Sequence, residues 1–276
     1  MLARRGRPLQ TQHEASFDAE FILPQRLVNF WVALASNVRI APEFGLEDKY
    51  HLSVQFLEEC GGSCRDMKGN SGVRKYLILY NSVEAALWAA VWFRLIFIGQ
   101  VSNYREAHDQ VSPFLLWVQT SAILEVVHVA LGLVPSPLFT TIMQVASRLL
   151  LVWGIDYTFP HITANSGAFV SMVTAWSITE VLRYSYYAIN LQGTVPDSIM
   201  WLRYTLFYVL YPLGAGSECW LVYQSLDEAA KINPLYKWAL VVILITYIPG
   251  FYFLYTYMIA QRRKMFKRQG KKVVKQ

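Results

Sequence analysis

Residues 235–260 read LYKWALVVILITYIPGFYFLYTYMIA and are followed at 261–276 by QRRKMFKRQGKKVVKQ. The first run is apolar and long enough to cross a bilayer core, which takes about 20 residues. The second carries Arg262, Arg263, Lys264, Lys267, Arg268, Lys271, Lys272 and Lys275 and no acid. Basic residues at the end of a span mark its cytosolic side. The pair predicts a membrane helix that emerges into a basic cytosolic tail. A nucleic-acid patch is a poor account of basic residues that adjoin a span.

Working outward, five more runs have the same character: 76–98, 111–134, 138–156, 166–190 and 198–224. Breakers separate them: Pro113, then Pro135 and Pro137, Pro160 with Asn165 and Gly167, Gly193 with Pro196, and Asn233-Pro234. Only Val134-Pro135-Ser136-Pro137 joins the second and third runs, which predicts a tight antiparallel hairpin. The runs are too long and too weakly alternating for a β-barrel. Six crossings return the N-terminus to the cytosol, and Arg74-Lys75 at the first span agrees. The expected architecture is an all-α, six-span transmembrane helical bundle over 74–261, with a polar cytosolic N-terminal extension at 1–73 and a basic cytosolic tail at 262–276.

Composition supports this. Of 276 residues, 54% are apolar, 15% aromatic and 16% charged, with a net charge of +6. Mean hydropathy is +0.28. A soluble domain carries about 25% charged residues, and disordered or coiled-coil chains have far fewer aromatics. Three cysteines cannot form a disulfide scaffold.

The first 73 residues offset Arg4, Arg5, Arg7, Arg26, Arg39, Lys49, Arg65 and Lys68 with nine acids. Phe21 to Ala35 is broken by Pro24, Gln25 and Arg26, so it is too short to span. It reads as cytosolic extension or a short amphipathic surface helix. It is not a signal peptide, since its apolar part starts late and lacks a small-residue cleavage site. Cys60-Gly-Gly-Ser-Cys64 with His51 falls short of the four ligands zinc takes, and reads as a flexible linker.

Charge inside a span costs several kcal/mol unless it faces protein or water, so such residues are functional suspects. Here they are Glu84, Arg94, Glu125, Arg148, Glu180, Arg183, Arg203 and Glu218. Ion pairing between helices accounts for about half of them by itself. In the fourth run, Trp176, Glu180, Arg183, Tyr184 and Tyr187 recur at spacings of three and four and form one helical face. Glu180 and Arg183 can pair within the helix. In the fifth run, Tyr204, Tyr211 and Glu218 are seven apart and share a face to within about 20° per step. Tyr211 and Glu218 lie about 10 Å apart along an ideal helix axis. That suits two groups acting on opposite sides of a small substrate. Pro212 is expected to bend this helix, and Gly214 and Gly216 let another helix or a ligand approach. The structural alternative is a kinked packing helix with a buried glutamate.

One motif is excluded. His128-Val129-Ala-Leu-Gly132-Leu-Val-Pro135 is aligned like the tyrosine-phosphatase loop His-Cys-x5-Arg, but Val129 and Pro135 replace the nucleophile and the phosphate clamp. His128 then reads as a packing histidine. Cys219 is an isolated thiol beside an acid, which disfavours thiolate.

Three motifs together carry a resemblance. They are Ser136-Pro137-Leu138-Phe139-Thr140-Thr141 with Gln144-Val145 and Ser147-Arg148; Trp176-Ser177 with Glu180 and Arg183-Tyr184; and Leu202-Arg203-Tyr204 through Tyr211-Pro212, Gly214 and Glu218. In order and spacing they resemble the "protein tyrosine phosphatase-like" membrane family, the very-long-chain (3R)-3-hydroxyacyl-CoA dehydratases, over about Lys75 to Gln261. The resemblance implies a six-span endoplasmic-reticulum enzyme with cytosolic termini. It would catalyse the third step of fatty acid elongation, removing water to give trans-2-enoyl-CoA. It implies Tyr211 and Glu218 as the catalytic pair and Arg148, Glu180, Arg183, Arg203 and Gly214 as supporting or substrate-binding positions. It implies an acyl-CoA substrate, surrounding lipid, and elongase, ketoacyl-CoA reductase and enoyl-CoA reductase as partners, with no nucleic acid. The tail departs from a strict dilysine retrieval signal, since Val273 and Val274 occupy the required positions.

The chemistry fits these residue types. Dehydration needs an acceptor for the α proton and a donor for the departing hydroxyl, worth about 10²–10⁴-fold each. Glu218 as base with Tyr211 as donor is one division, and the reverse is another. Arg183 or Arg203 would keep the glutamate ionised or bind the thioester oxygen or CoA phosphates. The reaction calls for no metal or organic cofactor. Two other classes compete: a catalytically silent scaffold for elongation enzymes, and a transporter using Glu84, Glu125 and Glu180, for which no inverted repeat is evident.

Overall fold

The computed structural model describes residues 71–99 and 103–273, and every regular element among them is helical. The apolar runs have no water to satisfy their backbone, so each closes its own hydrogen bonds as a helix. In order these are α1 (Ser71–Gly99), α2 (Tyr104–Ser121), α3 (Ile123–Ala130) and α4 (Leu138–Leu149). A π-helical segment, Leu150–Asp156, continues α4, and α5 (Pro160–Thr163) is a single turn. Then come α6 (Gly167–Gln192), α7 (Asp197–Arg203), α8 (Phe207–Gln224), α9 (Leu226–Ile232) and α10 (Pro234–Val273). The expected surface helix at 21–35, the Cys60–Cys64 motif with His51, and most of the N-terminal extension lie outside the described residues.

Four helical stretches are long and apolar enough to cross a membrane: Ser71–Ile98, Tyr104–Ala130, Leu138–Asp156 and Pro234–Lys267. The other two expected spans are helical but do not meet that measure. For α6 the reason is where it sits. The 26-residue α6 packs along α1 and α8, and it buries Trp176, Ser177, Glu180 and Tyr184. A helix covered by other helices need not be apolar all round. The surface is the reverse of a soluble protein's: Phe97 is 80% exposed and Ile248 75%, while Glu180 and Asp156 are each 1% exposed.

Three local expectations change. Pro113 does not separate two runs. It lies inside α2, which starts upstream at Tyr104 because the Asn103 side chain accepts from the Glu106 N–H at 3.1 Å. The run 198–224 is not one helix. Between α7 and α8, three-residue bonds mix with four-residue ones at 204–206: Thr205 N donates to Leu202 O at 3.2 Å and Tyr208 N to Thr205 O at 3.2 Å, beside Leu206 N to Leu202 O at 2.9 Å. Pro212 itself sits inside α8. Its missing N–H and its steric demand fall at Tyr208, within the first turn of α8. The basic segment from Arg262 to Val273 continues α10 as helix.

The hairpin between α3 and α4 forms as expected. Gly132 has φ of 69°, and Leu133 N donates to His128 O at 2.8 Å while Gly132 N donates to Val129 O at 3.0 Å. That pair of bonds is a Schellman cap, which needs a left-handed residue just past the helix. The α6 C-terminus is held by Arg74, whose Nε donates to Leu191 O at 2.7 Å. A cation there also meets the negative end of the helix dipole.

Candidate active site

Glu218 lies on α8 facing α6 and α10, and it is half-buried. Trp176 of α6 donates from Nε1 to Glu218 Oε1 at 2.7 Å. Tyr247 of α10 donates from its hydroxyl to Oε2 at 2.8 Å. Both carboxylate oxygens are therefore engaged, from two different helices. Gly214 lies one turn earlier, against the same stretch of α6. A Cβ there would meet the Ala175 Cβ at 3.5 Å and Glu218 Oε1 at 4.0 Å.

Tyr211 lies two turns before Glu218. Its ring stacks on Phe251 at 5.1 Å and Tyr255 at 6.2 Å between centroids. Its hydroxyl has no protein hydrogen-bond partner among the described residues. The ring is held while the hydroxyl stays available.

The intramembrane charges form a ladder. Arg183 donates from Nη1 and Nη2 to Glu125 Oε2 and Oε1 at 3.0 and 2.7 Å, and from Nε to Glu180 Oε2 at 2.6 Å. Arg148 Nη1 donates to Glu180 Oε1, and Tyr184 donates to Glu125 Oε1. Two arginines thus face two glutamates, so the ladder is neutral. It leads to the site, because the Arg148 guanidinium lies 5.2 Å from the centre of the Trp176 ring. A guanidinium at that range is attracted to the ring face.

This geometry revises the roles expected of the arginines. Arg183 is committed to Glu125 and Glu180, not to Glu218. Arg203 lies over Tyr186, Tyr187 and Tyr204 at 4.3, 4.9 and 5.9 Å, and its Nη2 is 3.4 Å from the Tyr187 hydroxyl. It has no carboxylate partner among the described residues. Arg148 is the arginine nearest Glu218 through a shared neighbour. Tyr187 is set apart from the rest of that face of α6: it is 37% exposed, whereas Trp176 is 3% and Tyr184 1%. Tyr247 went unnoticed in the sequence because a tyrosine in an aromatic-rich span carries no distinguishing local signal.

Glu84 accepts from Ser121 Oγ at 2.7 Å, beside the Glu125 end of the ladder. His128 is a packing residue: its Nε2 is 2.8 Å from the Tyr76 hydroxyl, and its ring sits edge-on to Tyr80. A separate buried cluster joins α2 to the π segment. His108 Nε2 is 2.8 Å from Asp156 Oδ1 and 3.0 Å from Thr163 Oγ1. Ser112 donates to Asp156, not to His108, so the cluster lacks the order of a nucleophile triad.

Among known proteins, the chain is 46% identical over 195 residues to the "Probable very-long-chain (3R)-3-hydroxyacyl-CoA dehydratase" of Schizosaccharomyces pombe, covering 70% of this chain and 94% of that protein. It is 36% identical to "Very-long-chain (3R)-3-hydroxyacyl-CoA dehydratase PASTICCINO 2" of Arabidopsis thaliana, covering 69% and 92%. It is 35% identical to "Very-long-chain (3R)-3-hydroxyacyl-CoA dehydratase 2" of Homo sapiens, covering 69% and 80%. No solved structure matches. The family described as "Protein tyrosine phosphatase-like protein, PTPLA" matches residues 119–268, which include α4, α6, α8 and most of α10 with every member of the Glu218 site. With that match and these relatives, the chain belongs to the protein tyrosine phosphatase-like protein family, PTPLA.

Proposed function

We propose that this chain is a very-long-chain (3R)-3-hydroxyacyl-CoA dehydratase, a hydro-lyase of fatty acid elongation that gives trans-2-enoyl-CoA. The carrying observation is the Glu218 carboxylate, oriented through both oxygens, two helical turns from a tyrosine whose hydroxyl is uncommitted. The relatives bearing that activity in their names support the same reading.

The thioester makes the α proton acidic, and Glu218 accepts it. The electron pair moves into the new Cα–Cβ double bond. The Cβ–O bond breaks, and the departing hydroxyl takes the Tyr211 proton to leave as water. Proton return from Glu218 to Tyr211, directly or through water, closes the cycle. Each transfer contributes about 10²–10⁴-fold. Arg148, Glu180, Arg183 and Gly214 hold α4, α6 and α8 in register around the pair. Arg203 is available to an anionic part of the substrate.

In this reading α6 and the α7–α8 pair complete six crossings, with both termini cytosolic. Residues 74–261 form the catalytic domain, flanked by the extension at 1–73 and the tail at 262–276. The chain resides in the endoplasmic reticulum membrane, takes acyl-CoA as substrate, and works beside the other elongation enzymes.

The test is turnover of a very-long-chain (3R)-3-hydroxyacyl-CoA by purified protein in mild detergent, followed by mass spectrometry of the enoyl product. Wild type is expected to form product, and Glu218→Gln and Tyr211→Phe to lose at least about 10²-fold while remaining folded. Full activity in either variant removes that residue from the pair. A folded wild type without product at any chain length overturns the enzyme reading in favour of a scaffold.

A further inference from the structure

Two donors hold the Glu218 carboxylate, and they are chemically unequal. The Trp176 indole N–H can only donate, whereas the Tyr247 hydroxyl can donate or accept. A group that exchanges a proton alternates between carboxylate and carboxylic acid. A donor-only partner serves the first form best. A hydroxyl can donate to the carboxylate and accept from the acid, so its contact persists through both. The terminal torsion of a glutamate is broad and has little intrinsic preference. Such external contacts therefore decide where its oxygens point.

Tyr247 also belongs to a pattern. Tyr247, Phe251 and Tyr255 are four apart on α10 and follow one face. Tyr247 bonds Glu218, and Phe251 and Tyr255 stack on Tyr211. Phe251 and Tyr255 also stack on each other at 5.5 Å. One face of α10 thus touches both members of the pair, although both members belong to α8.

From this we infer that Tyr247 is a positioning residue for the dehydration, holding Glu218 Oε2 in place in both protonation states from the α10 face that also supports Tyr211. The inference rests on the reading of Glu218 as the reacting carboxylate.

The experiment measures kcat, KM and thermal midpoint for the full chain in detergent with Tyr247→Phe. Glu218→Gln is run in parallel, and Tyr252→Phe, on an exposed position of α10, is the control. Tyr247→Phe is expected to lower kcat about 10- to 100-fold, the scale of a misplaced reacting group. KM is expected to stay within about twofold, with the midpoint unchanged, because the apolar ring remains. A kcat within about threefold of wild type beside an inactive Glu218→Gln overturns the inference and leaves the catalytic reading intact. An equal rise in KM together with a lower midpoint marks a packing residue and also overturns it. An active Glu218→Gln overturns both. Should Tyr247→Phe fail to fold, 3-fluorotyrosine at 247 keeps the ring and hydroxyl but changes the donor's strength. It is expected to change kcat severalfold at constant KM, and an unchanged kcat overturns the inference.

Discussion

Arg183 makes three hydrogen bonds to two carboxylates that belong to different helices. Its planar fork meets both oxygens of Glu125, a geometry that lysine cannot reproduce. Removing the partner of a buried carboxylate costs about 3–5 kcal/mol, mostly because the charge left behind is uncompensated. Arg183→Met is therefore expected to lower the thermal midpoint sharply in detergent. Arg183→Lys is expected to fall between it and wild type. Equal midpoints for all three would show that the ladder does not depend on Arg183. Tyr211 and Glu218 behave differently as single residues. Tyr211→Phe and Glu218→Gln keep nearly the same volume, so their expected loss is in turnover rather than in folding.

At the scale of the element, the contact between α6 and α8 depends on small residues. Gly214 faces Ala175 at the level of Glu218. Small residues let membrane helices approach closely, and packing drives their association in lipid. Gly214→Ala adds a Cβ at ordinary contact distance, so its midpoint is expected to stay near wild type. Gly214→Leu overfills the interface, at a cost of about 1–3 kcal/mol. It is also expected to reduce turnover at least about tenfold by displacing Glu218 from Trp176. Activity and midpoint measured on both variants check this, and an unaffected leucine variant would mean that α8 is free to shift. Gly154 in the π segment is a closer approach. A Cβ there would stand 3.0 Å from Leu150 Cδ1 and 3.3 Å from the Tyr236 hydroxyl, and Tyr236 donates to the Gly154 carbonyl.

At the scale of the whole molecule, the open choice is between six crossings and four. Apolarity alone marks four helical stretches. If α6 and α8 also cross, the connection at 193–196 lies on the side of the tail and the one at 157–166 on the opposite side. If they do not, both connections lie on the same side. Single cysteines at Thr194 and His161, placed in a chain lacking Cys60, Cys64 and Cys219, can be probed with a membrane-impermeant maleimide in sealed vesicles. Six crossings predict labelling from opposite sides, with Thr194→Cys on the side of the tail. Labelling of both from one side would reduce the count to four. The short α6–α7 connection and the Arg74 cap at the end of α6 place this region beside the start of α1, as six crossings require.

The sequence by itself determined the membrane class, the helical content, the hairpin at Val134–Pro137 and the pairing of Glu180 with Arg183. All of these follow from local composition, or from the 3.6-residue period that fixes which neighbours share a face. The family resemblance, carried by short motifs, pointed to Tyr211 and Glu218 and to Arg148, Glu180, Arg183, Arg203 and Gly214. Only the tertiary structure decided which groups meet across helices. Trp176 and Tyr247 are 42 and 29 residues from Glu218 in the chain, and Glu125 is 58 from Arg183. No local period links residues on separate helices, so these contacts depend on which faces pack together. The same holds for the polarity of α6. Hydropathy treats every helix as if lipid surrounded it, whereas packing turned the charged residues of α6 toward α3 and α4. That burial joined scattered charges into a neutral ladder leading to Glu218.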